Sequence, residues 1–321
     1  MRHYCILLII LALLLCACSR TVPQDSSGTE DTKETINEAT EESTEATEAT
    51  KDTTPPTGWI TENNQTVYIN EDGSRHTGWL ELDNTRYYLN EQGILQTGWL
   101  ELDGQTYYLK SNGSISRGKT VINDRTYYFS STGAKVILAN PWNFIPADYE
   151  SDVVYIINEA DGYMIDSSCR DELLQMLSDC RKAGYNAQVC SAFRYHSTQI
   201  RNYNNKVWYY IDLGYSEEEA RKIAATIIAV PGTSEHELGL AVDLVDNSYW
   251  VLDEAQENTP AQKWLMANCW NYGFILRYPN NKSEITGIIY EPWHYRYVGK
   301  ELAKELQESG LCLEEYLNSL S

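Results

Sequence analysis

The sequence predicts a solenoid of β-hairpins followed by an α+β domain. Three observations carry this reading. Residues 57–137 repeat every twenty positions, the signature of stacked units. From residue 138 the period vanishes, and amphipathic helical patterns mix with short strand patterns up to residue 321. The first 56 residues carry neither pattern and read as an export leader and a tether.

The leader opens with a basic residue and an apolar run from Cys5 to Leu15. A mature bilayer span needs ~20 residues, so the run fits the apolar region of a secretory signal. Leu15-Cys16-Ala17-Cys18 follows and resembles a bacterial lipoprotein signal, with residues 1–18 removed or modified and Cys18 lipidated. That resemblance implies a protein outside the cytoplasm, tied to the outer face of the membrane. Residues 19–56 are rich in Thr, Glu and Ser, with almost no large apolar side chain. Such a stretch buries too little surface to offset its ordering entropy, so a disordered, self-repelling tether is expected. It carries much of the formal net charge of −21. An acidic chain with no basic patch argues against nucleic acid as a partner.

Beyond Cys5, Cys16 and Cys18, five cysteines remain: Cys169, Cys180, Cys190, Cys269 and Cys312. None sits at C-x-x-C spacing, which argues against a cysteine zinc cluster. Export permits disulfides, but an odd number leaves at least one thiol free or paired between chains. The pairing stays open.

The repeats run "TGWITENNQTVYINEDGSRH", "TGWLELDNTRYYLNEQGILQ", "TGWLELDGQTYYLKSNGSIS" and a diverged "RGKTVINDRTYYFSSTGAKV". Trp59, Trp79 and Trp99 align; so do Tyr68, Tyr88, Tyr108 and Tyr128, and Gly73, Gly93, Gly113 and Gly133. Turn signals between aromatic and β-branched runs make each unit two short strands. A lone hairpin is marginal, so the units must share a core by stacking. The Lys119 unit lacks the Trp and is expected to cap the stack against the next domain. This pattern resembles the choline-binding type of cell-wall-binding repeat. The resemblance implies wall attachment through aromatics such as Trp59, Trp79, Trp99, Tyr88 and Tyr108, which in that family cage a quaternary ammonium by cation–π attraction. Thr66, Arg86, Thr106 and Thr126 stand where the family carries a further aromatic, so the wall ligand stays open between choline and another polymer.

In residues 138–321, "CRDELLQMLSDCRKAG" predicts an amphipathic helix closed by Gly184. "AQVCSAF" predicts a strand running into "RYHSTQ". "SEEEARKIAATIIAV" predicts a helix capped by Ser216 and ended by Pro231-Gly232. "AVDLVD" reads as an alternating strand, "AQKWLMANCWNYGF" as a helix, and "EPWHYRYVG" closes the set.

Candidate metal ligands fall in two of these segments. In "TSEHELGLAVD", His236 and Asp243 flank a Gly-containing turn into a strand, so they converge only if the chain curls between them. Glu291-Pro292-Trp293-His294 adds a second histidine with an acid three residues earlier. Three protein ligands with one position left for water is the catalytic zinc pattern, in which the water's pKa falls to roughly 7. A nearby carboxylate must still move the proton to a leaving amine.

The ordered set Ser234, His236, Gly239, Ala241, Asp243, then Glu291, Trp293, His294, closely resembles the VanY-type D-alanyl-D-alanine carboxypeptidases. "SAFRYHSTQ" resembles that family's Ser-x-Tyr-Arg-Ser…Gln segment, with Phe193 and Tyr195 departing from it. The resemblance runs from about residue 140 to 304. It implies one zinc ion per chain on His236, Asp243 and His294, with Glu291 as general base. Arg194 would face the substrate carboxylate or the developing oxyanion, and Ser234 and Gln199 would hydrogen-bond the terminal D-alanine. Glu237 would not act as a base, and His196 would have a surface or supporting role. The implied fold is that of zinc D,D-peptidases and hedgehog-type domains, a small antiparallel sheet flanked by helices. The implied reaction is removal of the terminal D-Ala from peptidoglycan stem peptides. An L,D-carboxypeptidase or a cross-bridge endopeptidase could use the same site. Outside the enzyme class stands a wall-binding adhesin with an inactive peptidase domain.

Overall fold

The computed structural model describes residues 57–157 and 162–320. The signal, Cys18 and the tether of residues 19–56 lie outside the described residues.

Four hairpins open the structure: β1 (Gly58–Glu62) with β2 (Gln65–Ile69), β3 (Gly78–Leu82) with β4 (Thr85–Leu89), β5 (Gly98–Leu102) with β6 (Gln105–Leu109), and β7 (Gly118–Ile122) with β8 (Arg125–Phe129). The short β9 (Lys135–Val136) adds to β8. In the first hairpin both turn residues, Asn63 and Asn64, have positive φ, 50° and 60°, as two-residue hairpin turns of the primed type require. Each Trp lies opposite its unit's Tyr: Trp59 on Tyr68, Trp79 on Tyr88, Trp99 on Tyr108.

The units stack as a solenoid. Each Trp ring also meets a Tyr of the following unit edge-on, Trp59 with Tyr87, Trp79 with Tyr107 and Trp99 with Tyr127, at 5.1, 5.0 and 4.9 Å between centroids. The Leu95 N–H donates to the Thr66 carbonyl at 2.8 Å, and Ile115 repeats this bond to Arg86 at 2.9 Å. Gly113 shows why the glycine recurs. Its φ is +81°, and a Cβ there would come 2.6 Å from the Leu95 side chain of the preceding unit.

The fourth unit caps the stack, as expected. Its Tyr128 buries with Leu138, Ile275, Leu302, Leu313 and Leu317 in a cluster shared with the second domain.

That domain runs β10 (Val153–Tyr155), β11 (Met164–Asp166), α1 (Ser167–Lys182), β12 (Ala187–Ser191), α2 (His196–Asp212), α3 (Glu217–Ala225), β13 (Ala241–Asp246), α4 (Pro260–Asn268), β14 (Phe274–Leu276), α5 (Ser283–Thr286), β15 (His294–Tyr297), α6 (Lys300–Ser309) and α7 (Leu313–Ser319). The central sheet has the order β12-β13-β15-β14, antiparallel throughout. Leu173, Met176 and Leu177 of α1 and Leu265 of α4 pack with Val242, Leu244 and Tyr295 of this sheet to form the main core. The small sheet flanked by helices is the expected one.

Several elements differ from the sequence expectation. α1 begins at Ser167, because the Asp166 side chain accepts from the Ser168 N–H and caps it. α3 has the expected Ser216–Glu219 capping box but ends at Ala225, not at Val230. Carbonyls beyond that end have other donors: Thr226 accepts from the Ile289 N–H, and Ala229 from the Gln199 side chain. β13 is buried at all six positions, so its alternation separates two covered faces rather than core from solvent. The segment 261–274 breaks after Asn268 into a 3-10 turn that Gly273, at φ 77°, closes. The long α2 and the C-terminal pair α6 and α7 had no sequence forecast.

All five cysteines of the described residues are free thiols. Burial pushes Cys190 and Cys269 up to about 12, which keeps them protonated and inert. Among the described residues no helix is long and apolar enough to cross a membrane.

Candidate active site

Ser234 leads into a 3-10 turn, Glu235–Leu238, that ends on Gly239 at φ 76°. A Cβ on Gly239 would lie 2.9 Å from Val153 and 3.2 Å from the Asp166 nitrogen, so only glycine lets the chain turn there into β13. This is the curl that brings His236 back over Asp243. The His236 Nδ1 lies 2.7 Å from the Ala192 carbonyl, a bond that puts the ring proton on Nδ1 and leaves Nε2 facing Asp243 at 3.2 Å. Burial, with Arg194 nearby, lowers this imidazole to about 4, so it stays neutral and able to ligate.

Asp243 and His294 are register partners on β13 and β15. Pairing across an antiparallel sheet points both side chains the same way, and Asp243 Oδ1 lies 3.1 Å from His294 Nδ1. One ligand atom from each of His236, Asp243 and His294 fits within 4.8 Å of the others, and all three residues are buried. Tetrahedral bonds of 2.0–2.1 Å place neighbouring ligand atoms about 3.3 Å apart, close to the 3.2 Å between His236 Nε2 and Asp243 Oδ2 and the 3.1 Å between His294 Nδ1 and Asp243 Oδ1. The Asp243 Oδ1 is buried without a hydrogen bond. A cation is the partner such an oxygen needs. Burial favours neutral His294, yet Asp243 and Glu235 beside it raise it to about 9. A metal ion at Nδ1 would displace that proton.

Glu291 lies beside the trio, with its Oε2 3.6 Å from His294 Nδ1. Burial, reinforced by the Asp243 charge, pushes this carboxyl up to about 8. It is the acid whose environment fits proton transfer near neutral pH.

A cavity of about 240 Å³ opens onto these groups, lined by Arg194, Ser234, His236, Asp243, Glu291 and His294 together with Lys206, Tyr278, Ile288 and Trp293. Arg194 is held by the Ser191 hydroxyl at 2.7 and 3.0 Å and by Asp243 Oδ2 at 2.8 Å, which fixes its guanidinium at the cavity wall. Gln199 differs from its expected place. It does not line the cavity; its amide donates to the Ala229 carbonyl at 2.7 Å and so holds the wall from behind. Glu237 accepts from the Gly232 N–H at 3.0 Å and pairs with His196, away from the cavity. Trp293, Lys206 and Tyr278 also reach the cavity wall. Tyr278 lies in the Arg-Tyr-Pro stretch after β14, where no metal-ligand pattern drew attention to it.

On the repeats, Trp59 and Trp99 remain 38 % and 44 % exposed, while Trp79, Tyr88 and Tyr108 are half-buried. The Arg86 guanidinium sits 4.3 Å from the Trp79 ring, and the Lys135 ammonium 5.7 Å from Trp99. Two of the three aromatic clusters therefore already face a cation of the chain itself.

The family model of the D-alanyl-D-alanine carboxypeptidase VanY matches residues 163–300, and the choline-binding repeat matches residues 56–93 and 96–138. A D-alanyl-D-alanine carboxypeptidase of Enterococcus faecalis is 42% identical over 184 residues. That match covers 57% of this chain and 66% of the relative, just under two thirds of its length. A vancomycin-resistance D,D-pentapeptidase VanY solved with Zn(II) is 41% identical, with a TM-score of 0.51 over 57% of this chain and 98% of that one. The LD-carboxypeptidase LdcB is 36% identical, with a TM-score of 0.51 over 57% of this chain and 86% of that one. On these matches, and on the motifs that build the cavity, the chain belongs to the VanY family of D-alanyl-D-alanine carboxypeptidases.

Proposed function

We propose that this protein is a zinc-dependent D-alanyl-D-alanine carboxypeptidase that trims peptidoglycan stem peptides at the cell surface. One observation carries the reading: His236, Asp243 and His294 converge at ligand spacing around a buried, unpartnered carboxylate oxygen, with Glu291 alongside. The donor set of two imidazoles and one carboxylate suits zinc.

Bound there, zinc supplies Lewis acidity that acidifies water and polarises a carbonyl. Glu291 takes the proton of the attacking water and passes it to the leaving D-alanine amine. Its burial raises the carboxylate's affinity for a proton, which favours accepting one from water. Arg194, fixed by Ser191 and Asp243, offers its guanidinium edge to the substrate's terminal carboxylate or to the carbonyl oxygen as charge builds there. Ser234, buried at the cavity wall, offers a hydroxyl to the terminal residue. Gln199 supports that wall through Ala229.

A second reading keeps the same chemistry and changes the residue before the cut. The likeness to LdcB supports an L,D-carboxypeptidase, in which the penultimate residue is an L-amino acid. Around the enzyme, Cys18 would anchor the chain as a lipoprotein, the tether would span outward, and the repeats would hold a wall polymer. The open cluster for a quaternary ammonium is that of Trp59, Tyr68 and Tyr87, whose rings meet at 5.1 Å with no lysine or arginine of the described residues stacked on them. The test is mass spectrometry of products from synthetic stem pentapeptides ending in D-Ala-D-Ala and tetrapeptides ending in a single D-Ala, with zinc content measured. Release of one D-Ala from the pentapeptide supports the first reading. Cleavage of the tetrapeptide alone supports the second, and no cleavage of either by zinc-loaded protein defeats both.

A further inference from the structure

Glu235 precedes His236 in the same turn, and its side chain is fully buried against Arg277. Two guanidinium groups share one of its oxygens: Arg277 Nε and Arg296 Nη1 each donate to Oε1 at 2.7 Å. The clamp is held in turn. Arg277 binds Glu314 at 2.9 and 2.6 Å, Glu314 accepts from Asn140 at 3.0 Å, and Arg296 donates to the Ile137 carbonyl at 2.9 Å.

The second oxygen of Glu235 is different. Oε2 is buried without a hydrogen bond, and 3.7 Å away lies His294 Nε2, buried and also without one. A charged acceptor and an imidazole nitrogen thus face each other in a dry interior, slightly beyond hydrogen-bond length. Leaving both unmade is costly. Neutral imidazole carries one proton. If Nδ1 offers its lone pair beside Asp243, that proton must sit on Nε2, opposite Glu235.

We propose that Glu235 is the positioning residue of the metal site: it accepts the Nε2–H of His294, and so fixes the tautomer and ring plane that present Nδ1 to the ion. The inference rests on the metal reading given above. His236 is set by a backbone carbonyl and ligates through Nε2; His294 is set by a carboxylate and ligates through Nδ1. One dipeptide, Glu235-His236, supplies both a ligand and the partner of the other ligand. The alternative is that Glu235 only neutralises two buried arginines.

The decisive variant is Glu235→Gln. Two guanidinium donors on one oxygen hold the amide carbonyl toward them, which turns the amide N–H₂ toward His294. A donor there favours a lone pair on Nε2 and moves the ring proton to Nδ1, where it blocks ligation. Zinc affinity, from chelator competition, should fall 10–100-fold, the range seen when such outer partners are lost. Nitrogen-15 NMR of the zinc-loaded wild-type protein should find His294 protonated at Nε2, with that proton shifted downfield and exchanging slowly. A folded Glu235→Gln protein that binds zinc within twofold of wild type overturns the proposal. So does a wild-type His294 protonated at Nδ1, a measurement that decides the matter even if the variant does not fold. Wild-type protein that binds no stoichiometric zinc would instead defeat the metal reading itself.

Discussion

Asp243 and His294 stand opposite each other across β13 and β15, with their facing ligand atoms 3.1 Å apart. The sheet register, rather than a local helix motif, therefore sets the spacing of these two candidate ligands. His294→Ala should lose most zinc and all measurable hydrolysis, while the sheet persists because its backbone bonds do not involve the imidazole. Zinc analysis after dialysis, with circular dichroism as the fold check, tests this. Stoichiometric zinc in the variant would remove His294 from the site.

Glu291 differs in kind, because in the proposed mechanism it moves a proton and does not ligate. Glu291→Gln should keep its zinc and keep KM near the wild-type value. Its kcat should drop by a factor of order 10²–10⁴, as for a lost general base. A zinc-loaded variant with near-normal kcat would end the assignment.

Arg194 touches Asp243, so its removal acts on substrate and ligand together. Arg194→Ala should weaken binding, lower kcat, or both, with zinc affinity reduced far less than in His294→Ala. If the guanidinium meets the terminal carboxylate, the variant should also lose the preference for a free C-terminus over an amidated one. Retention of that preference leaves the oxyanion role.

For the repeats, Trp59→Ala with Trp99→Ala should weaken binding to purified walls and leave hydrolysis of a small soluble peptide unchanged. Arg86→Thr copies the residue found in the other units and uncovers the Trp79 face. It should gain binding of a quaternary ammonium, read as quenching of tryptophan fluorescence. No gain would mean that Arg86 is not what closes that cluster.

Leu313, fully buried in the cluster that Tyr128 and Leu138 enter, tests the joint core. Leu313→Ala should cost about 2–5 kcal/mol. Because the cluster is shared, the repeat aromatics and the peptidase domain should lose stability in one transition. Tryptophan fluorescence and far-ultraviolet dichroism followed on heating would separate if the two parts were independent.

Legibility differed by the kind of signal. The ligand segments could be read because His236, Asp243, Glu291 and His294 sit in ordered motifs, and the hairpins because the turn and Trp landmarks recur. α2 escaped because its buried face is Gln199, Tyr203 and Val207, a stripe with a polar residue and few aliphatic ones among Asn and Tyr. The end of α3 escaped because its stop is tertiary: Gln199 and Ile289 hold carbonyls beyond Ala225. Glu235 escaped for the same reason, since Arg277 and Arg296 meet it, and Glu314 meets Arg277, only in the folded chain.

The twenty-residue stacking carries an evolutionary corollary. The Trp59–Tyr87, Trp79–Tyr107 and Trp99–Tyr127 contacts are copies of one another, so an added or lost unit recreates every joint it disturbs. A deletion of any other length would shift Trp, Tyr and turn residues out of phase. The unit from Gly118 is exempt from this freedom, because its Tyr128 is committed to the peptidase. The number of upstream units can therefore change in whole steps without altering these joints. If the repeats hold a wall polymer as proposed, the strength of that hold would change with their number while the peptidase domain stays as it is.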